Sequence, residues 1–268
     1  MSKTKPKSTL TLGPGIGLGI SLIWFSALAL IPLIAVVVTT AQGGWSAFLS
    51  TLTNQQTVAA LTLTISQAFL VTLVNIFVGT AIAWVLVRDQ FWGKRAIEVL
   101  IDIPFALPTI VAGLVLLSLY GPNSPLGINI ANTRIAVFVA FLFVTLPFIV
   151  RTVQPVLSEL ERDVEEAASS LGASKFTVFR RIIIPALAPA ILAGASLSFA
   201  RGVSEYGSLV LLSGNLPMKT EVSSVRILSY LENGNPVAAA AVASILLFVS
   251  LLVIFTLEII QRRVARRG

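Results

Sequence analysis

The sequence predicts an all-α integral membrane protein with six transmembrane helices, and three observations support this fold class. First, 56% of the 268 residues are hydrophobic and 12% are charged, whereas a soluble domain carries about 25% charged residues. Second, six apolar runs are each long enough to cross about 30 Å of hydrocarbon. Third, Lys and Arg form short clusters between these runs, as membrane topology requires. Because lipid cannot satisfy backbone hydrogen bonds, each run is predicted to be a helix.

Polar segments separate the six predicted spans. No charged residue occurs between Lys7 and Arg88, and the polar stretch 42–56 divides this region into two spans. The first apolar run is much longer than the roughly 7–15 apolar residues of a signal peptide, which indicates a retained helix. The third span ends at a turn signal, Tyr-Gly-Pro-Asn-Ser-Pro, at 120–125. The predicted spans are 16–41, 57–87, 99–120, 135–153, 185–212 and 236–260.

The distribution of basic residues predicts that both termini are cytoplasmic. Of the 19 Lys and Arg residues, fifteen fall in segments on the N-terminal side of the membrane, three fall in segments on the other side, and Arg201 lies within span five. An excess of this kind marks the cytoplasmic side. The predicted segments are a cytoplasmic tail at 1–14, a six-helix transmembrane domain at 15–261 and a basic cytoplasmic tail at 262–268.

Several kinds of chemistry are excluded by composition. The chain contains no Cys and no His, so thiolate or imidazole metal sites, disulfides and Ser-His-Asp triads are impossible. It also contains no G-x-x-x-x-G-K-[ST] phosphate-binding loop. We therefore expect no catalytic residue, no metal site and no cofactor in this chain. The net charge of +7 does not indicate nucleic-acid binding, because the basic residues lie at the ends of apolar runs.

The segment 157–184, between spans four and five, has the pattern of two short helices separated by a glycine. Gly172 is placed to end the first helix in a left-handed conformation. Ser174 is placed to cap a second helix, which carries Phe176 and Phe179 towards span five. We call residues 164–179 the elbow. One face of its first helix carries apolar residues at i, i+3, i+4 and i+7, namely Val164, Ala167, Ala168 and Leu171.

The slim apolar face of the elbow is suited to a groove on another protein. The alternative is an amphipathic loop that lies on lipid headgroups. Five acidic and five basic residues occur between Arg151 and Arg181, whereas headgroup-binding helices are predominantly basic. The mixed charge therefore favours a protein partner over a lipid surface.

The elbow resembles the EAA motif of ABC importer permeases. That motif is Glu-Ala-Ala, three residues, Gly, nine residues and Ile-x-Leu-Pro, and here Ile184 replaces the Leu. The resemblance implies the type I ABC importer permease fold, with the elbow seated in a cleft of a cytoplasmic ATPase. It implies as partners two ATPase subunits that hold ATP and Mg, a second permease and an extracytoplasmic binding protein. The implied ATPase-coupling residues are Glu166, Ala167, Ala168, Gly172, Ile182 and Pro185.

Three further segments, 104–113, 200–207 and 212–221, resemble the sulfate and molybdate branch of these permeases, most closely the T-type sulfate/thiosulfate subunit. The resemblance implies a sulfate or thiosulfate path formed with a W-type permease, a sulfate-binding protein as receptor, and a bacterial inner membrane as location. A molybdate or tungstate permease remains the alternative. A secondary transporter would need ionisable relays in several spans, which this sequence lacks.

The few charged residues within or next to the predicted spans have two interpretations. Arg201 and Glu205 are four residues apart on span five and can pair along one helix face. Each costs about 2.5–3.5 kcal/mol if it lies unpaired at the bilayer centre. They form either a structural ion pair or part of the translocation path, in which Arg201 attracts a dianion. Asp102 lies where it can snorkel or pair with Arg95, and we expect it to have a structural role. We expect Glu258 to pair with Arg262.

Overall fold

The fold is known from a computed structural model, which describes residues 12–160 and 162–265, and no strand occurs among these residues. Residues 1–11 and 266–268 of the two predicted tails lie outside the described residues, whereas helix begins within the first tail at Leu12 and continues into the second as far as Ala265. The side of the membrane on which the tails lie stays a prediction. The helices are α1 (Leu12–Phe25 and Ile31–Gln42), α2 (Gly44–Thr53), α3 (Gln55–Arg88), α4 (Lys94–Ala106), α5 (Thr109–Tyr120), α6 (Arg134–Glu159), α7 (Arg162–Ser170), α8 (Lys175–Val178 and Ile184–Val203), α9 (Gly207–Leu212), α10 (Ser223–Glu232) and α11 (Pro236–Ala265).

Helices α1 and α8 each contain a single π-helical turn, at Ser26–Leu30 and at Phe179–Ile183. In both helices a proline follows two residues after the turn, Pro32 and Pro185. A proline ring within a helix clashes with the carbonyl group four residues earlier, and that carbonyl lies inside the π turn in each case. The wider turn accommodates the proline, so each helix continues across it.

Five helices within the described residues are long and apolar enough to cross a membrane, by their length and composition, and they correspond to predicted spans one, two, four, five and six. The third predicted span is not one helix. It consists of α4 and α5, which are separated by Leu107 and Pro108. Leu107 adopts an extended conformation with ψ 136°, because the ring of the following proline disfavours the helical conformation at that position.

The core of the bundle is formed where α3, α6 and α8 pack together. α11 packs against α8, and α1 packs against α11 at the edge of the bundle. In the apolar window of α1 no residue is buried within this chain. The bundle therefore has a packed three-helix centre and a first helix that adds almost nothing to the core of its own subunit.

The buried apolar residues form two clusters, one at each end of the bundle. A buried polar layer of Asn75, Thr145 and Ser198 lies between them along α3, α6 and α8, and the Nδ2 atom of Asn75 donates to the Oγ1 atom of Thr145 at 2.8 Å. The elbow-end cluster includes Ala83, Leu86, Ile149, Val153, Val178, Ile183 and Leu187. The opposite-end cluster includes Val71, Ala140, Phe141, Phe199, Val203, Leu209 and Leu212.

Candidate functional site

The first helix of the elbow, α7, ends at a left-handed glycine, as the sequence predicts. Gly172 has φ +85°. Its backbone N–H donates to the carbonyl oxygen of Ser169 at 3.0 Å, and the N–H of Ala173 donates to the carbonyl oxygen of Ala168 at 3.0 Å. These two bonds form a Schellman cap. No other group lies within 4 Å of a Cβ built on Gly172, so the backbone conformation, and not a lack of space, favours glycine here.

The second arm of the elbow begins at Ser174, again as predicted. Its Oγ atom accepts a hydrogen bond from the N–H of Thr177 at 3.2 Å. The helix that Ser174 caps is α8 itself, which continues beyond its first turn through the π turn. The elbow is therefore joined to span five by continuous helix, and any rotation of its second arm must act on that helix.

The apolar face of α7 is largely exposed on this chain. Val164 is 46% exposed, Leu171 is 89% exposed, and Ala167 is also exposed. Phe176, at the start of the second arm, is 70% exposed. Only Ala168 on this face packs against the elbow-end cluster. A group of exposed apolar side chains of this kind typically marks a surface that contacts another molecule.

Two consecutive glutamates of α7 have different surroundings. Glu166, the first residue of the Glu-Ala-Ala motif, is exposed. Glu165 forms an ion pair with Arg88, the last residue of α3, and the two side chains are 23% and 11% exposed. The pattern of the sequence does not distinguish these two carboxylates, but the structure assigns one to solvent and the other to the bundle.

A groove of about 900 Å³ lies beside the elbow. Acidic side chains, aromatic side chains and Lys175 line it. The groove and the exposed face of α7 together form a surface of mixed polar and apolar character. The residues that line the groove include Trp84, Glu165, Glu166, Phe176 and Phe179.

The six residues predicted to couple to an ATPase do not all lie in the elbow. Glu166, Ala167, Ala168 and Gly172 lie together on α7 and its cap. Ile182 and Pro185 instead belong to α8, where Ile182 packs partly against the elbow-end cluster. Ile182 and Pro185 therefore form part of the start of span five, whereas the other four residues belong to α7 and its cap.

The second candidate site is the pair of Arg201 and Glu205, whose Nη2 and Oε2 atoms are 2.6 Å apart. The predicted pair is present, but it does not run along one helix. α8 ends at Val203, and Glu205 lies in the break before α9. The Arg201 side chain is 28% exposed, whereas that of Glu205 is fully buried. The two charges are thus directed to different surroundings, one to the surface of the chain and one to its interior.

The buried carboxylate of Glu205 organises the break. Its Oε1 atom accepts from the backbone N–H of Ser208 at 2.8 Å and from the Oγ atom of Ser208 at 2.7 Å. Its backbone carbonyl accepts from the Oγ atom of Ser224, at the start of α10, at 2.7 Å. A carboxylate just before the first turn of a helix can accept from N–H groups that have no partner within the helix. Glu205 therefore holds α8, α9 and α10 in register.

The two short helices α5 and α9 approach each other closely at glycines. A Cβ built on Gly207 would lie 2.1 Å from the Oγ1 atom of Thr109 and 2.8 Å from the backbone nitrogen of Ile110. A Cβ on Gly113 would lie 2.7 Å from the carbonyl oxygen of Ser208. Only glycine allows this distance between the backbones. The breaks in spans three and five therefore meet, because α5 and α9 both begin at this contact.

The structural role expected for Asp102 is confirmed, but its partner is Arg151 and not Arg95. Asp102 accepts from the Nε atom of Arg151 on α6 at 2.7 Å. The same guanidinium donates to Gln154 and to the backbone carbonyl of Glu98. A guanidinium offers five donors and can bridge several acceptors at once. The predicted pair of Glu258 and Arg262 on α11 is confirmed.

Sequence reasoning missed the polar layer and the partner of Glu165. Asn75 is fully buried and also donates to the Oγ atom of Ser198 at 3.3 Å. An uncharged polar residue within an apolar run leaves hydropathy almost unchanged, so the only signal was the side-chain type itself. Arg88 ends its span like any other boundary arginine, and nothing in its local sequence indicates an acidic partner 77 residues away.

Comparison with known proteins gives a consistent result. Residues 75–267 match the family model described as binding-protein-dependent transport system inner membrane component. The chain is 41% identical over 259 residues to the sulfate transport system permease protein CysT of Escherichia coli (strain K12), with 94% of each chain covered. It is 43% identical over 250 residues to the protein of the same name from a Synechocystis species, with 91% of this chain and 87% of that protein covered.

Two solved structures have a similar fold at low sequence identity. A bacterial ABC transporter involved in the import of the polysaccharide alginate aligns with a TM-score of 0.76 and 16% identity, covering 92% of this chain and 94% of that chain. The MetNI methionine ABC transporter aligns with a TM-score of 0.61 and 19% identity, covering 77% of this chain and 95% of that chain.

Proposed function

This chain belongs to the family of inner membrane components of binding-protein-dependent transport systems, and we propose on that premise that it is a permease subunit of an ATP-driven sulfate importer. The proposal that ATP drives the importer rests mainly on the elbow, whose apolar face and Glu166 are exposed on this chain. Sulfate as the substrate follows from the CysT relatives, which match nearly the whole chain. Thiosulfate is included with sulfate, since both are small sulfur oxyanions.

The proposed partners are those that such an importer requires. Two ATPase subunits, holding ATP and Mg, bind the elbows from the cytoplasm. A second, W-type permease completes the path, and an extracytoplasmic sulfate-binding protein delivers the anion. A periplasmic protein is part of one structure with a similar fold, the alginate transporter in complex with its pentasaccharide-bound periplasmic protein. The exposed surface of α1 is consistent with a second membrane subunit beside this one.

The mechanism follows from the connections of the elbow. Closure of the ATPase dimer displaces the cleft that holds Glu166 and the cap at Gly172. The second arm continues into α8 without interruption, so the displacement turns span five. Packed helices change between discrete arrangements and do not deform continuously. The permease pair therefore alternates between outward and inward access as ATP is bound and hydrolysed.

Within this path we propose that Arg201 contacts the passing anion and that Glu205 holds Arg201 in place. A charged side chain at membrane depth faces protein or water and not lipid. Arg201 lies about 24 Å along α8 from Pro185 at 1.5 Å per residue, is partly exposed, and has its carboxylate partner directed away into the core. A dianion is thereby offered a guanidinium without direct contact with a carboxylate.

The substrate proposal is tested by uptake of radioactive sulfate in a strain that lacks this gene and carries no second sulfate importer. We expect uptake to be lost in the deletion strain and restored by the wild-type gene, with thiosulfate as a competitor and molybdate without effect. Uptake of molybdate that depends on this gene, with no uptake of sulfate, would favour the molybdate alternative. Sulfate uptake that needs no ATPase subunit would favour a secondary transporter.

The role of Arg201 is tested with the neutral double variant Arg201→Gln/Glu205→Gln, which leaves no unpaired buried charge. We expect it to assemble with its partners but to take up sulfate at least about tenfold more slowly, the effect of losing about 1.4 kcal/mol of anion stabilisation. Unchanged uptake by an assembled double variant would refute a contact between Arg201 and the anion. The pair would then have only its structural role.

A further inference from the structure

The elbow helix α7 has little apolar attachment to its own subunit. Among the side chains that the structure describes on α7, Ala168 alone packs against the elbow-end cluster, and the other apolar side chains of this helix are exposed. Buried apolar area normally holds a helix on its domain. A helix with so little of it needs another attachment if it is to transmit a force.

The ion pair of Glu165 and Arg88 supplies that attachment. Arg88 is the last residue of α3, a helix of 34 residues with buried side chains from Thr57 to Leu86. At this depth, with 11% and 23% of the two side chains exposed, the pair is less screened by water and salt than a surface pair. Glu165 therefore connects the elbow to a helix that is anchored along its whole length in the core.

Two aromatic side chains extend this connection to span five. The guanidinium carbon of Arg88 lies 5.5 Å from the ring centroid of Trp84, within the range of cation–π attraction. The ring of Trp84 meets the ring of Phe179 edge to face, with centroids 5.8 Å apart. Phe179 is the first residue of the π turn in α8. Helices α3, α7 and α8 are thus joined through four side chains.

We propose that Arg88 and Glu165, supported by Trp84 and Phe179, form a link that makes the elbow move together with the ends of spans two and five. In this proposal the two consecutive glutamates of α7 have different roles. Glu166 contacts the partner ATPase, and Glu165 passes the resulting displacement to α3. Both glutamates are positioning residues, since neither touches the transported anion. The proposal rests on the proposed function, because it assumes that the elbow docks on an ATPase.

The link is tested by charge reversal and charge exchange in the complete transporter, reconstituted in vesicles with its ATPase, second permease and binding protein. The readout is the amount of sulfate taken up per ATP hydrolysed. We expect Arg88→Glu and Glu165→Arg each to lower this ratio by about threefold to thirtyfold, the range of coupling changes seen for mutations between distant sites. The exchange variant Arg88→Glu/Glu165→Arg should return the ratio to within about twofold of wild type.

If the ion pair only stabilised the fold, its loss would lower the yield of transporter and the uptake of sulfate together, and sulfate uptake per ATP hydrolysed would not change. An unchanged ratio in the single variants therefore overturns the link. An exchange variant that assembles but does not recover also overturns it. Where a reversal does not accumulate in the membrane, Arg88→Gln and Glu165→Gln replace it, with the same expectation for the ratio.

A matched control separates this proposal from the docking of the ATPase. Glu166→Arg alters the neighbouring, exposed carboxylate, so we expect reduced copurification of the ATPase, whereas Glu165→Arg should retain normal copurification. If Glu166→Arg has no effect on copurification or uptake, the docking assignment fails. If the wild-type complex takes up no sulfate, the substrate assignment fails, and the link is measured by the stimulation of ATP hydrolysis by the binding protein.

Joint motion has a second, independent test. The chain contains no cysteine, so Arg88→Cys/Glu165→Cys can be joined specifically within this subunit by a short, reducible bifunctional thiol reagent. The two cysteines remove the ion pair, so we expect the reduced sample to share the lowered sulfate uptake per ATP of the single variants. Two elements that move together tolerate such a joint, so we expect the joined sample to keep or exceed the uptake of the reduced sample. Loss of uptake that a reductant restores would show that the elbow and α3 separate during the cycle, which refutes the proposal.

Discussion

The two ends of the bundle each contain an Arg–Glu pair, and the two pairs connect different parts of the structure. At the elbow end, Arg88 and Glu165 are far apart in sequence and belong to different helices, and both side chains are partly exposed. At the opposite end, Arg201 and Glu205 are four residues apart, and the carboxylate is fully buried. The first pair joins two elements that could otherwise move apart, and the second holds a break within one chain segment. In our proposals the first pair transmits the movement of the elbow, whereas the second holds the break in span five and positions Arg201 for the anion.

The largest expected effect of breaking a pair is at the buried carboxylate. Arg201→Gln leaves the fully buried Glu205 side chain without its cationic partner, and removing one partner of a buried pair costs about 3–5 kcal/mol. We expect a clear fall in the thermal unfolding midpoint of the purified subunit in detergent. Arg88→Gln should lower it less, because water reaches Glu165. Equal falls for the two variants would contradict the contrast between the two ends.

The next effect concerns the contact between α5 and α9, which exists only at the end opposite the elbow. Gly207→Ala places a methyl group 2.1 Å from the Oγ1 atom of Thr109 and 2.8 Å from a backbone nitrogen, so we expect a loss of about 1–3 kcal/mol from overpacking. The matched control is Gly202→Ala, whose Cβ would lie 3.4 Å from that of Ala68. Unfolding of both variants in denaturant measures the difference, and a control as unstable as Gly207→Ala would refute it.

At the elbow end, the backbone of Gly172 is expected to affect function more than stability. Gly172→Val forces a branched residue into a left-handed conformation, which costs about 1–2 kcal/mol. This cost opens the cap, so we expect reduced copurification of the ATPase and reduced uptake. Gly127 has φ +68°, and a Cβ there also meets open space, so Gly127→Val carries the same backbone cost away from the elbow. If both substitutions reduce copurification equally, the elbow has no special role.

The smallest effect is expected for an ion pair on the surface of the bundle. Arg262 and Glu258 form an exposed pair on α11, with side chains 71% and 46% exposed. Exposed pairs at this spacing contribute about 0.3–0.5 kcal/mol. Arg262→Gln should therefore leave uptake and the thermal midpoint within error of wild type. A marked loss of uptake would reveal a contact of this helix end with a partner and would require a second docking region.

Much of the elbow was predictable because its determinants are local. Gly172 stops α7 and Ser174 caps the next helix, and both signals depend on residues within one or two turns. The apolar runs likewise locate the long helices, since the hydropathy of a segment depends only on the residues within it. Span three shows the limit of this reasoning. A proline within an apolar run, such as Pro108, is compatible with a kinked but continuous helix, whereas the structure has a complete break that is packed against α9.

The fold class, the long spans, the two helix signals of the elbow and the spacing that allows Arg201 to reach Glu205 can all be derived from the amino-acid sequence. Packing of the helices is needed to show which of two adjacent glutamates faces the bundle, that Asp102 pairs with Arg151, and that Glu205 is buried beyond the end of α8. Secondary structure follows from short-range geometry and solvent preference, whereas burial and ion pairing depend on side chains from other helices. Those helices come close only when the bundle packs.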